Sequence, residues 1–321
     1  MGNRAHELFR RFPNNPLLTA DDWPYPVNSV FNAGAVRLNG RTLLLARVED
    51  HSGMSHLCAA TSADGLADWQ IDPAPTFPAD PANHPEELWG VEDPRITRVP
   101  ESGDYMIAYT AYGEAGPLVS LARTRDFKRF ERLGAAMPPE NKDAALFPVR
   151  FGGRWAMIHR PYGAGQEHVP AHMWISFSPD LKHWGDGRIL MRARRGGWWD
   201  ANKIGLSPPP LETPDGWLVL YHGVRATASG KTYRLGVALL DRDDPTRVLR
   251  RGDNWVFGPQ DACERFGDVQ QVVFPCGWVL NEDELRVYYG AADTCIALAT
   301  ASLREVLDYL QAMPAYEPLR S

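Results

Sequence analysis

Apolar residues along the chain form short runs that are rich in β-branched and aromatic side chains, with polar turn clusters between them. Runs of this kind are typical of β-strands. The strands predicted in this way cover residues 42–48, 105–109, 118–122, 155–159, 173–177, 217–222, 235–240, 285–289 and 295–299. Turn clusters such as Asn39-Gly40, Gly152-Gly153 and Asp215-Gly216 predict hairpins between neighbouring strands.

A turn unit built on aspartate, with an aromatic or apolar residue after it, recurs at the ends of several strands. It occurs at residues 61–69, 124–130, 178–184 and 240–249, with a weaker copy at 300–303. The interval of roughly fifty to sixty residues is typical of propeller blades, so five copies predict five blades. A two-sheet sandwich is the alternative, which would explain the hairpins but not the repeat. The predicted fold is therefore all-β, a five-bladed β-propeller.

The two ends of the chain are predicted to lie outside the blades of this single domain, residues 1–321. Residues 1–27 are interpreted as an N-terminal extension, with a short helical turn over 7–13 that Pro13 stops. Residues 302–321 are interpreted as a C-terminal helix and tail. Leucine and valine at helical spacing predict the helix, at Leu303, Val306, Leu307 and Leu310. We expect it to pack on the blades, with a contact between subunits of a homo-oligomer as the alternative.

Composition narrows the class of partner. A formal net charge of −6 and a pI of about 5.9 argue against a nucleic-acid or anionic-membrane surface, because such surfaces select for clustered cations. The four cysteines are far apart in the sequence, so we expect buried free thiols and neither a metal site nor a disulfide framework. No secretion signal or membrane-spanning segment is recognisable, so we expect a cytoplasmic protein.

The first candidate for chemistry is the pair of carboxylates Glu92 and Asp93. Pro94 restricts the backbone of Asp93 and holds it at the entrance of a strand. Trp89 offers a flat apolar face of the kind that packs on the C–H face of a sugar ring. Arg95 could keep a neighbouring carboxylate ionised. The alternative is a loop in which Asp93 only caps its own backbone.

A second candidate set consists of cations and hydroxyl or imidazole donors at strand ends: Arg160, Lys203, His222 and Tyr233. Each has a structural alternative, such as a surface ion pair or a core histidine. In a propeller, however, these strand ends converge on one pocket. Together the four side chains would suit an oxyanion such as phosphate. The chain has no Gly-rich phosphate loop, so this phosphate would be a free ion or reactant and not part of a nucleotide.

A series of motifs resembles glycoside hydrolase family 130, the inverting β-mannoside phosphorylases and related β-1,2-mannosidases. The motifs run in order through the chain, at residues 90–95, 141–148, 159–161, 203–210, 221–224, 239–245, 273–277 and 288–293. The resemblance implies a five-bladed propeller, in agreement with the repeat. It also implies that Asp93 is the general acid, acting through a hydroxyl of the mannosyl unit as a proton relay.

The resemblance also implies roles for the residues around Asp93. The implied phosphate ligands are Arg160, Lys203, His222 and Tyr233, together with Lys142 and Arg47. The implied sugar-binding residues are Asn32 and Asp293, to which we add Trp89 and Glu92 from the acidic stretch. One departure is that many relatives have Asn-Ser-Ala where this chain reads Asn32-Ala33-Gly34, so a hydroxyl donor is missing there.

The predicted reaction is that of a glycosyltransferase-type phosphorylase. A β-mannoside and inorganic phosphate, the co-substrate in the absence of any cofactor, would give α-mannose 1-phosphate and a shortened acceptor. One alternative is a hydrolase of the same fold. Another is a non-catalytic carbohydrate-binding propeller with Trp89, Trp198 and Trp199 as stacking platforms. The linkage, the acceptor and the oligomer stay open, since loops such as 163–171 and 192–199 would decide them.

Overall fold

The computed structural model describes residues 7–162 and 169–317, which form five antiparallel sheets arranged as the blades of a propeller. The chain begins with the short strand β1 (Arg10–Arg11). Blade 1 contains β2 (Ser29–Leu38), β3 (Arg41–Glu49), β4 (Ser55–Ser62) and β5 (Gln70–Ile71). Blade 2 contains β6 (Val91–Arg98), β7 (Tyr105–Gly113), β8 (Gly116–Thr124) and β9 (Phe130–Met137).

The other three blades follow in chain order. Blade 3 contains β10 (Asn141–Phe151), β11 (Arg154–Pro161), β12 (Met173–Ser178) and β13 (Gly185–Met191). Blade 4 contains β14 (Lys203–Leu206), β15 (Leu211–Thr213), β16 (Gly216–Thr227), β17 (Gly230–Leu240) and β18 (Val248–Arg251). Blade 5 contains β19 (Val273–Asn281), β20 (Glu284–Ala291), β21 (Cys295–Ser302) and, at its outer edge, β1. The inner strands β2, β6, β10, β14 and β19 contact one another around the axis.

The strands predicted from the apolar pattern are the second and third strands of the blades. Residues 105–109 and 118–122, for example, lie in β7 and β8. These strands are covered on both faces by neighbouring blades, so they are continuously apolar. Only one inner strand, the one that Asp93 enters, is predicted from the sequence. Each of the other four has a polar residue or a proline among its first three residues, which interrupts the apolar pattern.

The repeated aspartate turn connects the third strand of a blade to the fourth. Oδ1 of Asp126 accepts hydrogen bonds from the backbone N–H groups two and three residues later, both at 2.9 Å. Asp64, Asp180 and Asp241 make the same pair of bonds in blades 1, 3 and 4. Such bonds satisfy backbone donors in a tight turn. The copy at 300–303 is weaker because the chain continues there into a helix and not into a fourth strand.

The N-terminal strand closes the propeller. β1 pairs with β21, with Arg10 opposite Thr300 and Arg11 opposite Ala299. Residues 7–13 therefore do not form the predicted helical turn, and part of the predicted extension 1–27 belongs to blade 5. The physical reason is that β21 presents an open edge whose backbone groups need a partner, and this pairing outweighs a local turn. Arg11 secures the closure through Glu264, with Nε 2.8 Å from Oε1.

Adjacent blades pack through apolar clusters that lie between them. Phe147 of blade 3 meets Trp217 of blade 4 edge to face, with ring centroids 5.2 Å apart. Phe77 and Tyr109 form a similar pair between blades 1 and 2, at 5.3 Å. Each sheet thus buries both faces against the neighbouring blades, and polar side chains lie near the central axis.

Two short helices accompany the blades, α1 (Ala262–Arg265) and α2 (Leu303–Gln311). Oγ of Ser302 caps α2 by accepting a hydrogen bond from the backbone N–H of Glu305. Val306, Leu307 and Leu310 are buried against blades 4 and 5, so the helix packs on the blades as expected. Among the described residues, no helix combines the length and the apolar character needed to cross a membrane. All four cysteines are free thiols.

Candidate active site

Three polar side chains lie at the same irregularity of three inner strands. Asn32, Asp93 and Asp143 have φ values of +48°, +51° and +56°, and each lies in a register shift near the start of β2, β6 or β10. A bulge of this kind turns a side chain in a new direction, and asparagine and aspartate tolerate the left-handed backbone best. Asp93 therefore lies in a left-handed bulge, and not in the extended backbone that a following proline favours. The three side chains converge near the axis.

Asp93 is buried among cations. Its Oδ1 accepts hydrogen bonds from Nδ2 of Asn32 at 2.9 Å and from Nη1 of Arg47 at 3.2 Å. Burial alone would raise the pKa of Asp93, but the charges of Arg47, Lys142 and Arg95 outweigh it and lower the pKa. The carboxylate is thus ionised at neutral pH. An anion bound to the same cations would weaken their effect and favour the protonated carboxyl.

Glu92 and Asp293 complete the acidic half of the site. Glu92 bridges two cations, with Arg47 at 3.2 Å and Lys142 at 3.6 Å. Asp293 also has a left-handed backbone, with φ +52°. Burial, together with the charge of Asp93, raises the pKa of Asp293 to about 6. Asp293 therefore takes up its proton near pH 6, and in the protonated form it can donate as well as accept a hydrogen bond.

The four cations and donors predicted at strand ends come together in blades 3 and 4: Arg160, Lys203, His222 and Tyr233. Asp143 organises them. Its Oδ2 accepts a hydrogen bond from Nε of Arg160 at 2.7 Å and lies 3.3 Å from Nε2 of His222. Nζ of Lys203 donates to the hydroxyl of Tyr233 at 2.7 Å. The two halves of the site are joined by Arg95, whose Nη2 lies 3.5 Å from Asp143.

The protonation of this cluster suits an anion. Burial, followed by the charge of Arg160, lowers the pKa of Lys203 to about 7. Burial lowers the pKa of His222 to about 4, so the imidazole is neutral. Burial raises the pKa of Tyr233 to about 12, so it keeps its hydroxyl proton. Nε2 of His222 is buried and makes no hydrogen bond of good geometry among the described residues, although it lies 3.3 Å from Oδ2 of Asp143.

Gly205 on β14 leaves the space that the cluster needs. A Cβ at this position would overlap Oδ2 of Asp143 and lie 2.7 Å from Nε2 of His222. Any larger residue would push these two side chains apart. The close approach of Asp143 and His222 thus explains why the Lys203-Ile204-Gly205 motif has glycine at its third position.

Asp143 is the residue that the sequence analysis missed. It lies in the motif at 141–148, but no role was assigned to it. The signal that could have found it is the pattern shared with Asn32-Ala33 and Asp93-Pro94, in which an Asn or Asp precedes a small residue or proline at the start of an inner strand. Only the repeat of blades makes these positions equivalent.

The predicted aromatic platforms lie in different surroundings. Trp89 packs edge-on against Tyr112 with centroids 5.3 Å apart, and no described hydrogen bond joins its side chain to Asp93 or Arg47. Trp199 is buried, stacks on Tyr221 and donates its Nε1 hydrogen to the carbonyl of Asp253. It is therefore not a platform for a ligand. Of the loop 163–171, residues 163–168 lie outside the described part of the chain.

With this geometry in place, comparison with known proteins identifies the family. Residues 9–312 match the model of glycoside hydrolase family 130, described as β-1,4-mannooligosaccharide phosphorylase. The chain belongs to glycoside hydrolase family 130. A β-1,4-mannooligosaccharide phosphorylase of Ruminococcus albus is 36% identical over 314 residues, which cover 95% of this chain and 91% of the relative.

Solved structures of the same family have the same fold. The β-1,2-mannobiose phosphorylase of Listeria innocua, in complex with β-1,2-mannobiose, superposes with a TM-score of 0.85 at 30% identity and covers 94% of this chain and 99% of its own. Another similar solved structure is described in these words: the GH130 family of mannoside phosphorylases contains glycoside hydrolases that target β-1,2 mannosidic linkages in Candida mannan. It has a TM-score of 0.80 at 27% identity, covering 99% and 98% of the two chains.

Proposed function

We propose that the protein is an inverting β-mannoside phosphorylase. It cleaves a β-1,4- or β-1,2-linked manno-oligosaccharide, or a mannosyl disaccharide, with inorganic phosphate. The products are α-D-mannose 1-phosphate and a shortened acceptor. The observation that carries this proposal is the cluster of Arg160, Lys203, His222 and Tyr233, which faces the acidic half of the site around Asp93.

In this mechanism the cation cluster holds phosphate as the nucleophile. Arg160 offers a planar pair of donors, Lys203 a point charge, and neutral His222 and Tyr233 one hydrogen each. Lys142 and Arg47, which both bind Glu92, add positive charge on the carboxylate side of the site. Phosphate is already anionic, so it needs no base of the kind that an inverting hydrolase uses to activate water, and the cations hold it in line with the bond to be cleaved.

Asp93 supplies the proton for the leaving oxygen, through a hydroxyl of the mannosyl unit. Oδ2 of Asp93 accepts no hydrogen bond from the described residues, because Asn32 and Arg47 both donate to Oδ1. Phosphate bound to the nearby cations would raise the pKa of Asp93 and load it with a proton only when the nucleophile is present. Oδ1 of Asn32 is buried without a partner among the described residues, so it suits a sugar hydroxyl, as does Asp293.

A hydrolase of the same fold is the second candidate, because a structurally similar relative is described in connection with such hydrolases. A hydrolase needs a free carboxylate to deprotonate water opposite the acid. Asp143 is the carboxylate of the cation cluster, but Arg160 and Arg95 bind it, and their charges help to lower its pKa well below the usual range despite its burial. A carboxylate held in this way is a poor base, which favours phosphate.

The test is to incubate the protein with β-1,4- and β-1,2-mannobiose, with and without inorganic phosphate, and to separate the products. We expect mannose 1-phosphate in the presence of phosphate and little reaction without it. Free mannose as the only new hexose, at a rate that phosphate does not change, would establish the hydrolase. Binding of either sugar without any cleavage would support the non-catalytic alternative. The pair of disaccharides reports the linkage in the same experiment.

A further inference from the structure

A cleft of about 1130 Å³ lies between blades 3 and 4, beside the cation cluster and separate from it. None of the residues assigned above to the phosphate, the acid or the sugar lines it. Its walls come from residues 192–202, between β13 and β14, and from the tail that follows α2. Among the lining residues are Arg192, Arg194, Arg195, Trp198, Asn202 and Tyr316.

The cleft is attached directly to the strand that carries Lys203. The backbone N–H of Ala171 donates to the carbonyl of Asn202 at 3.1 Å, and that of Ile204 donates to the carbonyl of Ala171 at 3.0 Å. Oδ1 of Asn202 accepts a hydrogen bond from the backbone N–H of Ala226 at 2.8 Å. Because β14 begins at Lys203, the segment 192–202 crosses the face of the propeller on which the inner strands begin. The cleft therefore opens on the same face as the site.

Trp198 is held as a preformed aromatic surface in this cleft. The guanidinium of Arg194 lies 4.5 Å from the centre of the Trp198 ring. Arg194 is itself fixed by Asp200 and Asp253, both at 3.0 Å. The indole remains 44% exposed, in contrast to the buried Trp199 beside it. A supported aromatic ring with one open face is the usual partner for the C–H face of a pyranose.

The other groups of the cleft suit hydroxyls better than a second anion. Arg194 binds Asp200 and Asp253, and Arg251 shares Asp200, so two of the four arginines that line the cleft are already paired with carboxylates. Glu317 adds a further acid to the lining. Arg192 and Arg195 contribute guanidinium groups with several donors each, which can bind sugar oxygens. The volume exceeds the roughly 300–1,000 Å³ of an ordinary small-molecule site, so there is room for more than one sugar unit.

We infer that this cleft binds the sugar units of a manno-oligosaccharide that lie beyond the bond being cleaved. Trp198 would pack on one of these units, and Arg192 and Arg195 would bind its hydroxyls. The inference rests on the proposed function and extends it to the acceptor, which would be a chain and not a single sugar. The tail at Tyr316, held by the carbonyl of Leu249 at 3.0 Å, forms the outer wall.

The test is reverse synthesis from α-mannose 1-phosphate with mannose, mannobiose, mannotriose and mannotetraose as acceptors, in both linkage series. We expect kcat/KM to rise with acceptor length in the native protein. Trp198→Ala lowers the ratio of kcat/KM for mannotetraose to that for mannose about three- to tenfold, the usual contribution of one aromatic contact. Trp198→Phe restores most of this ratio. Arg188→Ala, an exposed arginine on β13 of the same blade, is the control that leaves the ratio unchanged.

Failure of this inference differs from failure of the proposed function. If the native protein transfers mannose but shows no preference for longer acceptors, or if Trp198→Ala leaves the ratio as it was, the cleft is not an acceptor site. If no acceptor is mannosylated, the proposed function fails instead. The cleft is then judged by calorimetric binding of mannotetraose, where loss of binding in Trp198→Ala supports it and unchanged binding overturns it.

Discussion

Asp93 and Asp143 occupy equivalent positions in neighbouring blades but have different surroundings. Both lie at the bulge of an inner strand, both have a left-handed backbone, and both are buried beside arginine. Asp143 is bound by Arg160 through two nitrogens and also faces Arg95 and His222. Asp93 has donors on Oδ1 alone. The same left-handed bulge therefore presents Asp143 as a fixed counter-ion of Arg160. In Asp93 it leaves one carboxyl oxygen without a donor among the described residues, so that this carboxyl is free to exchange a proton.

This difference teaches that position alone does not make an aspartate catalytic in this fold. The number and placement of hydrogen-bond donors decide whether the carboxyl can hold a proton. Four predictions test the contrast, in order of decreasing effect.

The largest effect is expected for Asp93→Asn, which removes the transferable proton and keeps the shape of the side chain. We expect the rate of mannose 1-phosphate formation to fall by about a factor of 10²–10⁴, the usual contribution of a general acid. The thermal midpoint should change little, because the amide can still accept from Asn32. Initial rates at saturating phosphate measure the effect. Near-native activity of this variant would remove Asp93 from its proposed role.

Asp143→Asn should give the opposite pattern. It leaves Arg160 and Arg95 buried without their counter-ion, and breaking a buried pair in this way costs about 3–5 kcal/mol of unfolding free energy. Urea denaturation measures the loss. We also expect a higher KM for phosphate, since Arg160 is no longer positioned. If Asp143→Asn were as stable as the native protein while Asp93→Asn were not, the contrast drawn above would be reversed.

Lys203→Ala is expected to act on phosphate and not on the sugar. Loss of one charged hydrogen bond to the anion, about 1.5–3 kcal/mol, corresponds to a rise in the KM for phosphate of roughly ten- to a hundredfold. The KM for the mannoside should stay within about twofold. The comparison variant is Lys128→Ala, an exposed lysine in the aspartate turn of blade 2, which should leave both KM values unchanged. An equal rise in both KM values after Lys203→Ala would place Lys203 elsewhere in the site.

The smallest effect is on pH dependence. Because Lys203 has a pKa of about 7 and only its protonated form attracts an anion, anion binding should weaken as pH rises through 7. Competitive inhibition by sulfate, whose charge is constant near neutrality, separates this from the titration of phosphate itself. We expect the inhibition constant to rise by up to about tenfold between pH 6 and 8. Lys203→Arg, which stays charged, should show a flatter profile.

The same contrast shows how far sequence reasoning reaches. The second and third strands of the blades could be predicted because they are covered on both faces and therefore continuously apolar, as at 105–109 and 118–122. The number of blades could be predicted from the aspartate turns, because each turn is a hydrogen-bonding unit formed by residues that are close together in the sequence. The strand β1 and the role of Asp143 could not be predicted, since each depends on a partner that is distant in the chain.

The sequence by itself determined the class of fold, the family and the identity of most candidate site residues. These follow from local patterns: apolar runs, Asp64, Asp126, Asp180 and Asp241 in turns, and motifs in a fixed order. Only the tertiary structure decided that residues 10–11 close blade 5 and that Asp143, not Asp93, binds Arg160. It also decided that Trp198 is open while Trp199 is buried. The reason is that edge pairing, the number of donors around a carboxylate and the exposure of a ring are all properties of neighbours brought together by folding.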